Sequence, residues 1–486
     1  MPAHSLSRRD LLLALAQFAP AAVVLGCGGA SEGAVVTAPS NAEDAGVAAA
    51  DAGSTSAVDA GDAGREANVI VIGAGIAGLR AAEVLAKAGK KVIVLEGRTR
   101  IGGRIVTDRS WGVPLDLGAS WIHGVTNNPI AARAASEGLR TIVADYSVAL
   151  FDANGTRRPD SDVARIERTV RDLTTRGTAS SPDTDEPLRT ALDRAIASSN
   201  FTATQRLEVE MGITSVFEHE YAADASELSA NHFDDGANES GGDAVFPGGY
   251  DAIVNAVARG TDVRLGCIVT AIDTSVSPAV VRTNLGTFQG ESVLVTVPLG
   301  VLKAKTIAFT PSLSPAKLEA IASLGMGTLS KTYVQFASSF WPAASELVDR
   351  IPPASERGQW VESLNVGAIV DTPALLMFNA GAFARAQEAM SDSQAIASAS
   401  AALRALFGAS FQAPLRTLRS NWSGDAFARG SYSFLAVGST LADRDTLAAR
   451  QGSLFFAGEA CSRDHAATVH GAFTSGERAA NAIVTG

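Results

Sequence analysis

Residues 69–105 read VIVIGAGIAGLRAAEVLAKAGKKVIVLEGRTRIGGRI, and their order decides the fold. Val69 to Ile72 are all apolar and β-branched, the composition of a parallel strand buried on both faces. Gly73, Gly75 and Gly78 come next as G-x-G-x-x-G. The first glycine of such a motif makes the tight turn, the second lets the backbone approach a pyrophosphate, and the third lets the helix pack on the strand. The pattern predicts a helix over 76–88 whose leading amides, around Ile76 and Ala77, face the phosphates. Gly89 is placed to stop that helix. Val92 to Leu95 reads as a second strand with Glu96 at its end. A carboxylate there accepts the ribose hydroxyls and repels a 2′-phosphate. The segment therefore predicts an α/β fold holding an adenine dinucleotide that lacks the 2′-phosphate.

At 486 residues the chain exceeds one ordinary core, so two domains are expected. The net charge is −11, and residues 28–66 hold seven acids against one base. The rest is mildly acidic, without the basic stripe of a nucleic-acid binder, and suits a cationic small substrate. Three cysteines, Cys27, Cys267 and Cys461, do not make a disulfide framework. The six histidines show no H-E-x-x-H, and there is no C-x-x-C. In Glu218-His219-Glu220, neighbouring side chains point different ways and cannot all face one ion. No metal is expected.

Ser7-Arg8-Arg9-Asp10 precedes an apolar run from Leu11 to Leu25, too short for a stable membrane span. The arginine pair resembles a twin-arginine export signal, the route that carries folded proteins. Val24-Leu25-Gly26-Cys27 resembles a bacterial lipobox, which implies cleavage and lipid attachment at Cys27. Residues 28–66 carry almost no large apolar side chains and read as a disordered tether. The expectation is an exported protein of the periplasm or cell envelope, touching the membrane only through its lipid.

Beyond Glu96, Arg100-Ile-Gly-Gly-Arg104 resembles the R-x-G-G-R element of the FAD-dependent amine oxidases. Leu115 to Gly124, LDLGASWIHG, is similar to the next stretch in that family, and its W-I-H-G form resembles polyamine oxidases. The resemblance covers residues 67–486. It implies FAD, with Arg104 near the pyrophosphate, Gly118, Ala119, Ser120 and Trp121 against the flavin, and His123 facing substrate. Glu220 matches an acidic substrate-binding position, and Val269, in the strand expected over 263–272, an adenine contact. Met326 to Pro342 resembles the segment whose lysine stands ten residues before the tryptophan of F-W-P. It implies that Lys331 holds a water against flavin N5. A lysine in an apolar strand is costly without a partner, which supports a special role.

Three C-terminal blocks match the same family in order. Arg429 to Ser433 implies Tyr432 as one side of an aromatic cage. Leu454 to Ala460 implies Gly458 and Glu459 at the ribityl–pyrophosphate. Ala467 to Ala472 implies Thr468 and Val469 opening a helix toward the flavin pyrimidine. Ser431 stands where monoamine oxidases carry a flavin-linked cysteine, which implies non-covalent FAD, and Thr468 stands at their second cage tyrosine. The implied fold is α/β: a Rossmann-like, GR2-type FAD domain built from residues 67–130, 245–310 and 425–486. An α+β substrate domain takes 131–244 and 311–424. The implied reaction is oxidation of an amine C–N bond, most similar to polyamine oxidation. It yields an imine and then an aldehyde, with oxygen reduced to hydrogen peroxide. An L-amino acid oxidase of the same fold, or a dehydrogenase with another acceptor, stays open, and the oligomeric state is not readable.

Overall fold

The computed structural model describes residues 65–179 and 184–486. The expected export signal lies outside them, as does the expected tether up to residue 64. The last two tether positions depart from the expectation. Arg65 and Glu66 already pair with Phe288 and Gln289, so the first strand is Arg65–Ile72.

That strand lies at the centre of an eight-stranded sheet. Gly286–Val295 flanks it on one side and Val92–Leu95 on the other, both parallel to it. Val263–Arg264 and Leu454–Phe456 extend the parallel part. Val269–Asp273 and Ala279–Thr283 continue it as an antiparallel ladder. Side chains alternate across the parallel strands as the pleat requires. Ile70, Ile72, Ile93, Leu95, Val293 and Val295 pack into one core, while Val69, Val71, Val94 and Leu294 pack into the core on the opposite face. Both faces are apolar, which is why these strands read as continuous hydrophobic runs.

Helices Ile76–Lys87 and Val469–Thr485 cover one face together. They approach so closely that a Cβ on Gly476 would lie 2.1 Å from the carbonyl oxygen of Ala77. The register sets Ile72, Leu95 and Val295 level. The carboxyl ends of these strands therefore open on one edge, where ligands of open α/β sheets bind.

A second sheet of six strands runs in the order Arg416–Arg419, Leu329–Gln335, Ala374–Ala380, Glu362–Asn365, Leu347–Arg350 and Val148–Phe151. Helices Ser161–Thr178, Leu188–Ala197 and Ala203–Ile213 contribute to a separate core beside it. Among the described residues, no helix is long and apolar enough to cross a membrane.

Two expectations change. The run 263–272 is not one strand. Val263–Arg264 pairs with Val94 and Leu95, Gly266 turns at φ +65°, and Val269–Asp273 begins a new ladder. The boundaries at 130/131 and 310/311 fall inside the nucleotide-domain core. Ile130 and Ala134 of helix Pro129–Ser136 belong to it, as do Leu313, Ile321 and Leu324.

Candidate functional site

A cavity of about 610 Å³ lies between the carboxyl edge of the first sheet and strands of the second. Every cofactor- and substrate-site residue named above lines it except Gly78. Gly78 has a packing role instead: a Cβ there would sit 2.1 Å from the carbonyl oxygen of Gly73. Gly73 has φ +105°, a conformation that disfavours side chains. A Cβ on Gly75 would meet no atom within 4 Å, because that side opens on the cavity. Gly75 caps helix Ile76–Lys87 without any side-chain cap bond, so the first amides of that helix are left for a ligand. Buried Glu96 accepts from the amides of Ala74 and Arg98, both at 2.8 Å, which fixes its carboxylate at the end of its strand. This end fits the adenosine and pyrophosphate of a dinucleotide.

The midsection is polar and tied together. Arg104 Nη1 donates to Glu459 Oε1 at 2.9 Å and to the carbonyl of Ser431 at 2.7 Å. Glu459 Oε2 accepts from the Ser433 hydroxyl at 2.6 Å and the amide of Ala467 at 3.0 Å. Burial pushes the Glu459 carboxyl up, but Arg104, Ser433 and Arg444 outweigh it and hold it below the ordinary range. Glu459 therefore faces Arg104 as a carboxylate. Thr468 accepts from the amide of Gly471 at 2.9 Å and caps helix Val469–Thr485, directing its start into the cavity. Ser431, at the attachment position, exchanges hydrogen bonds with the backbone of Leu329.

Lys331 stands in strand Leu329–Gln335 with 4% of its surface exposed. Its ammonium donates to the carbonyls of Gly118 at 2.6 Å and Asp116 at 3.1 Å, and to Ser120 Oγ at 2.5 Å. Burial pulls it down to about 8, and Asp116 opposes part of that shift. Burial raises Asp116 to about 6, with Thr107 and Lys331 opposing. The lysine thus pins the 116–120 loop, whose Gly118, Ala119 and Ser120 line the cavity. Trp121 Nε1 is buried with no hydrogen-bond partner among the described residues, although its residue lines the cavity. A buried donor left open beside a cavity fits a bound heteroaromatic ligand.

At the far end, His123 Nδ1 lies 2.9 Å from Asp243 Oδ2. Asp243 also accepts from Tyr146 Oη at 2.8 Å and from the amide of Gly124 at 2.9 Å. Burial works against its charge, yet His123 and these bonds bring it down to about 2. The imidazole is therefore oriented by a carboxylate, leaving Nε2 for a ligand. Neither Asp243 nor Tyr146 was expected from the sequence, and no local motif marks them. Replacing Asp243 with Asn should free the ring. The expected outcome is a KM about tenfold higher with kcat changed less. An unchanged KM would show that His123 does not need this partner.

The opposite wall comes from a π-turn, Thr214–Glu218, inserted after helix Ala203–Ile213. The wider ring rotates the residues after it about the helix axis. Ser215, His219 and Glu220 line the cavity, while Glu218 turns away to Thr214 at 2.7 Å. Glu362, from the second sheet, lines the same wall and accepts from Ser215 Oγ at 3.0 Å. His219 and Glu362 also escape sequence reasoning. Phe378 packs against Trp121 with ring centres 6.0 Å apart, and Tyr432 Oη donates to the carbonyl of His219 at 2.9 Å. The result is an aromatic chamber edged by two carboxylates, Glu220 and Glu362.

Comparison with known proteins agrees with this layout. The family model "Flavin containing amine oxidoreductase" matches residues 76–484. The chain is 36% identical to Polyamine oxidase 4 of Oryza sativa subsp. japonica over 432 residues, covering 85% of this chain and 88% of that one. It is 35% identical to Polyamine oxidase 2 of Arabidopsis thaliana, covering 86% and 88%. A solved structure of a redesigned putrescine oxidase superposes with a TM-score of 0.68 at 21% identity, covering 87% of this chain and all of that one, and shows the same fold. A dinucleotide cradle, a buried lysine and an acid-edged aromatic chamber thus share one cavity, and the chain belongs to the flavin-containing amine oxidoreductases.

Proposed function

We propose that the protein oxidises a C–N bond of a polyamine, with non-covalent FAD as cofactor and oxygen as the final acceptor. The observation that carries the substrate class is the pair of carboxylates, Glu220 and Glu362, on the wall of the aromatic chamber. A polyamine needs anionic partners for the ammonium groups away from the reacting nitrogen and apolar walls for its methylenes. Glu96, Gly75, Arg104, Glu459 and Thr468 would hold FAD, which supplies the two-electron acceptor when bound. His123, set by Asp243, and Tyr432 orient the chain of the substrate. Lys331 fixes the loop under the reacting position and keeps an ammonium beside it. The aromatic rings exclude water from that end.

An amino-acid substrate would need an arginine fork for its carboxylate. Of the arginines lining the cavity, Arg98 is paired to Asp425 and Arg104 to Glu459, and Arg429 is an exposed residue. This favours the amine. Peroxide release should be measured with spermine, spermidine, acetylated polyamines, monoamines and L-amino acids. Turnover of L-amino acids alone would overturn the reading. Glu220→Gln and Glu362→Gln should each raise KM for polyamines about tenfold, the worth of roughly 1.4 kcal/mol, and leave simple monoamines unchanged. The Arg8-Arg9 signal and Cys27 support a further proposal, export in folded form to the cell envelope with lipid at Cys27. Cys27→Ser should move the protein from the membrane fraction to the soluble one.

A further inference from the structure

We propose that Glu239, His465 and His470 form a binding site for a divalent transition metal of the zinc class. Such an ion would clip the loop before residue 244 to the start of the last helix. His465 Nδ1 and His470 Nε2 each lie 2.9 Å from the same oxygen, Glu239 Oε1. The three ligand atoms fall within 4.8 Å of one another. Around a tetrahedral zinc ion with bonds near 2.0–2.1 Å, neighbouring ligand atoms stand about 3.3 Å apart. The two nitrogen–oxygen separations need to open by a few tenths of an ångström and the two imidazoles to draw together. Two imidazoles with one carboxylate select zinc, cobalt, nickel or copper over magnesium and calcium, which require mainly oxygen.

The backbone around these ligands is already fixed. The carbonyl of His465 accepts from Thr468 Oγ1 at 2.8 Å, and a Cβ on Gly471 would come within 1.7 Å of that carbonyl oxygen. The loop bearing Glu239 is held by Ala237 N to the carbonyl of Asp464 at 2.9 Å and by Thr126 N to the carbonyl of Ser240 at 3.0 Å. The side chains of His470 and Glu239 are 6% and 10% exposed, and that of His465 is 34% exposed. One ligand is thus buried and two are partly exposed, which gives an ion a way in and leaves a coordination position for water. The cluster lies outside the cavity lining, and the substrate reading does not depend on it.

The test uses the flavin-loaded, full-length protein, stripped with chelator and titrated with zinc chloride. About one zinc per chain should be retained after desalting, read by elemental analysis. Added zinc should raise the thermal midpoint by a few degrees. Glu239→Gln and His465→Asn should each weaken zinc binding at least tenfold while keeping flavin absorbance and circular dichroism. His465→Asn, on the more exposed side chain, carries the test if the other variant misfolds. Wild type that retains no zinc and shows no thermal shift would overturn the proposal. So would zinc binding that is unchanged in both variants.

Discussion

Lys331→Met is expected to lower turnover by roughly 10²–10³-fold while flavin stays bound, the range seen when a preorganised polar group is lost from a dry site. The ammonium is buried and spends its bonds on the carbonyls of Gly118 and Asp116 and on Ser120 Oγ. Methionine fills similar volume but donates nothing, so the 116–120 loop loses its tie and the reacting position its positive charge. Rapid-mixing measurement of flavin reduction, together with flavin content, separates this from loss of cofactor. A Met variant with unchanged reduction and reoxidation rates would remove Lys331 from the mechanism.

The same substitution has a stability signature. Burial brings this lysine down from 10.5 to about 8 in the folded protein. Between those pH values the unfolded chain holds the proton and the folded one does not. The cost of the buried ammonium is therefore full below pH 8 and relieved as pH rises toward 10.5. Wild type should gain thermal stability relative to Lys331→Met over that window.

The second large effect separates two glycines of one motif. Gly75→Ala should yield a folded protein almost empty of flavin. Its Cβ meets no protein atom but projects where the cofactor backbone must come close, costing roughly 2–3 kcal/mol of binding, or about 10²-fold. Gly78→Ala should instead fail in folding. Its Cβ would lie 2.1 Å from the oxygen of Gly73, 2.9 Å from Thr296 Oγ1 and 3.1 Å from Val71. Overpacking of that kind costs about 1–3 kcal/mol or more. Thermal melts and the flavin-to-protein absorbance ratio distinguish the two. A Gly75→Ala protein with full flavin would contradict the placement of the pyrophosphate there.

These two glycines also mark how far the sequence alone is legible. The cradle can be read because strand, turn, helix and acid lie within thirty-odd residues, and each glycine answers a local steric demand. His123 and Tyr432 are placed only through the resemblance, since nothing near them in sequence announces a site, while Lys331 has in addition only the cost of a lysine in an apolar strand to mark it. Asp243, Tyr146, Glu362 and His219 escape for a physical reason. They reach the cavity from separate strands and turns, and a carboxylate on a loop looks the same whether it faces water or an imidazole. The π-turn at Thr214–Glu218 is invisible to a 3.6-residue period, yet it decides that Glu220 and not Glu218 faces the chamber. The break at Gly266 hides in the same way inside an apolar run that reads as a single strand.

The helix Val469–Thr485 has a consequence for biosynthesis. It packs on the first helix of the cradle through Gly476 and Ala77, and Thr468 at its head borders the cavity. The ribosome makes the cradle first and this helix nearly 400 residues later. Until the helix docks, the first sheet also lacks the strand Leu454–Phe456, and the cavity lacks one wall. The nascent chain can therefore present the nucleotide half of its site for most of its synthesis without being able to enclose a ligand. Cofactor retention becomes a late event, and a protease cut between that strand and this helix, within residues 457–468, should release flavin from a protein whose first sheet is otherwise intact.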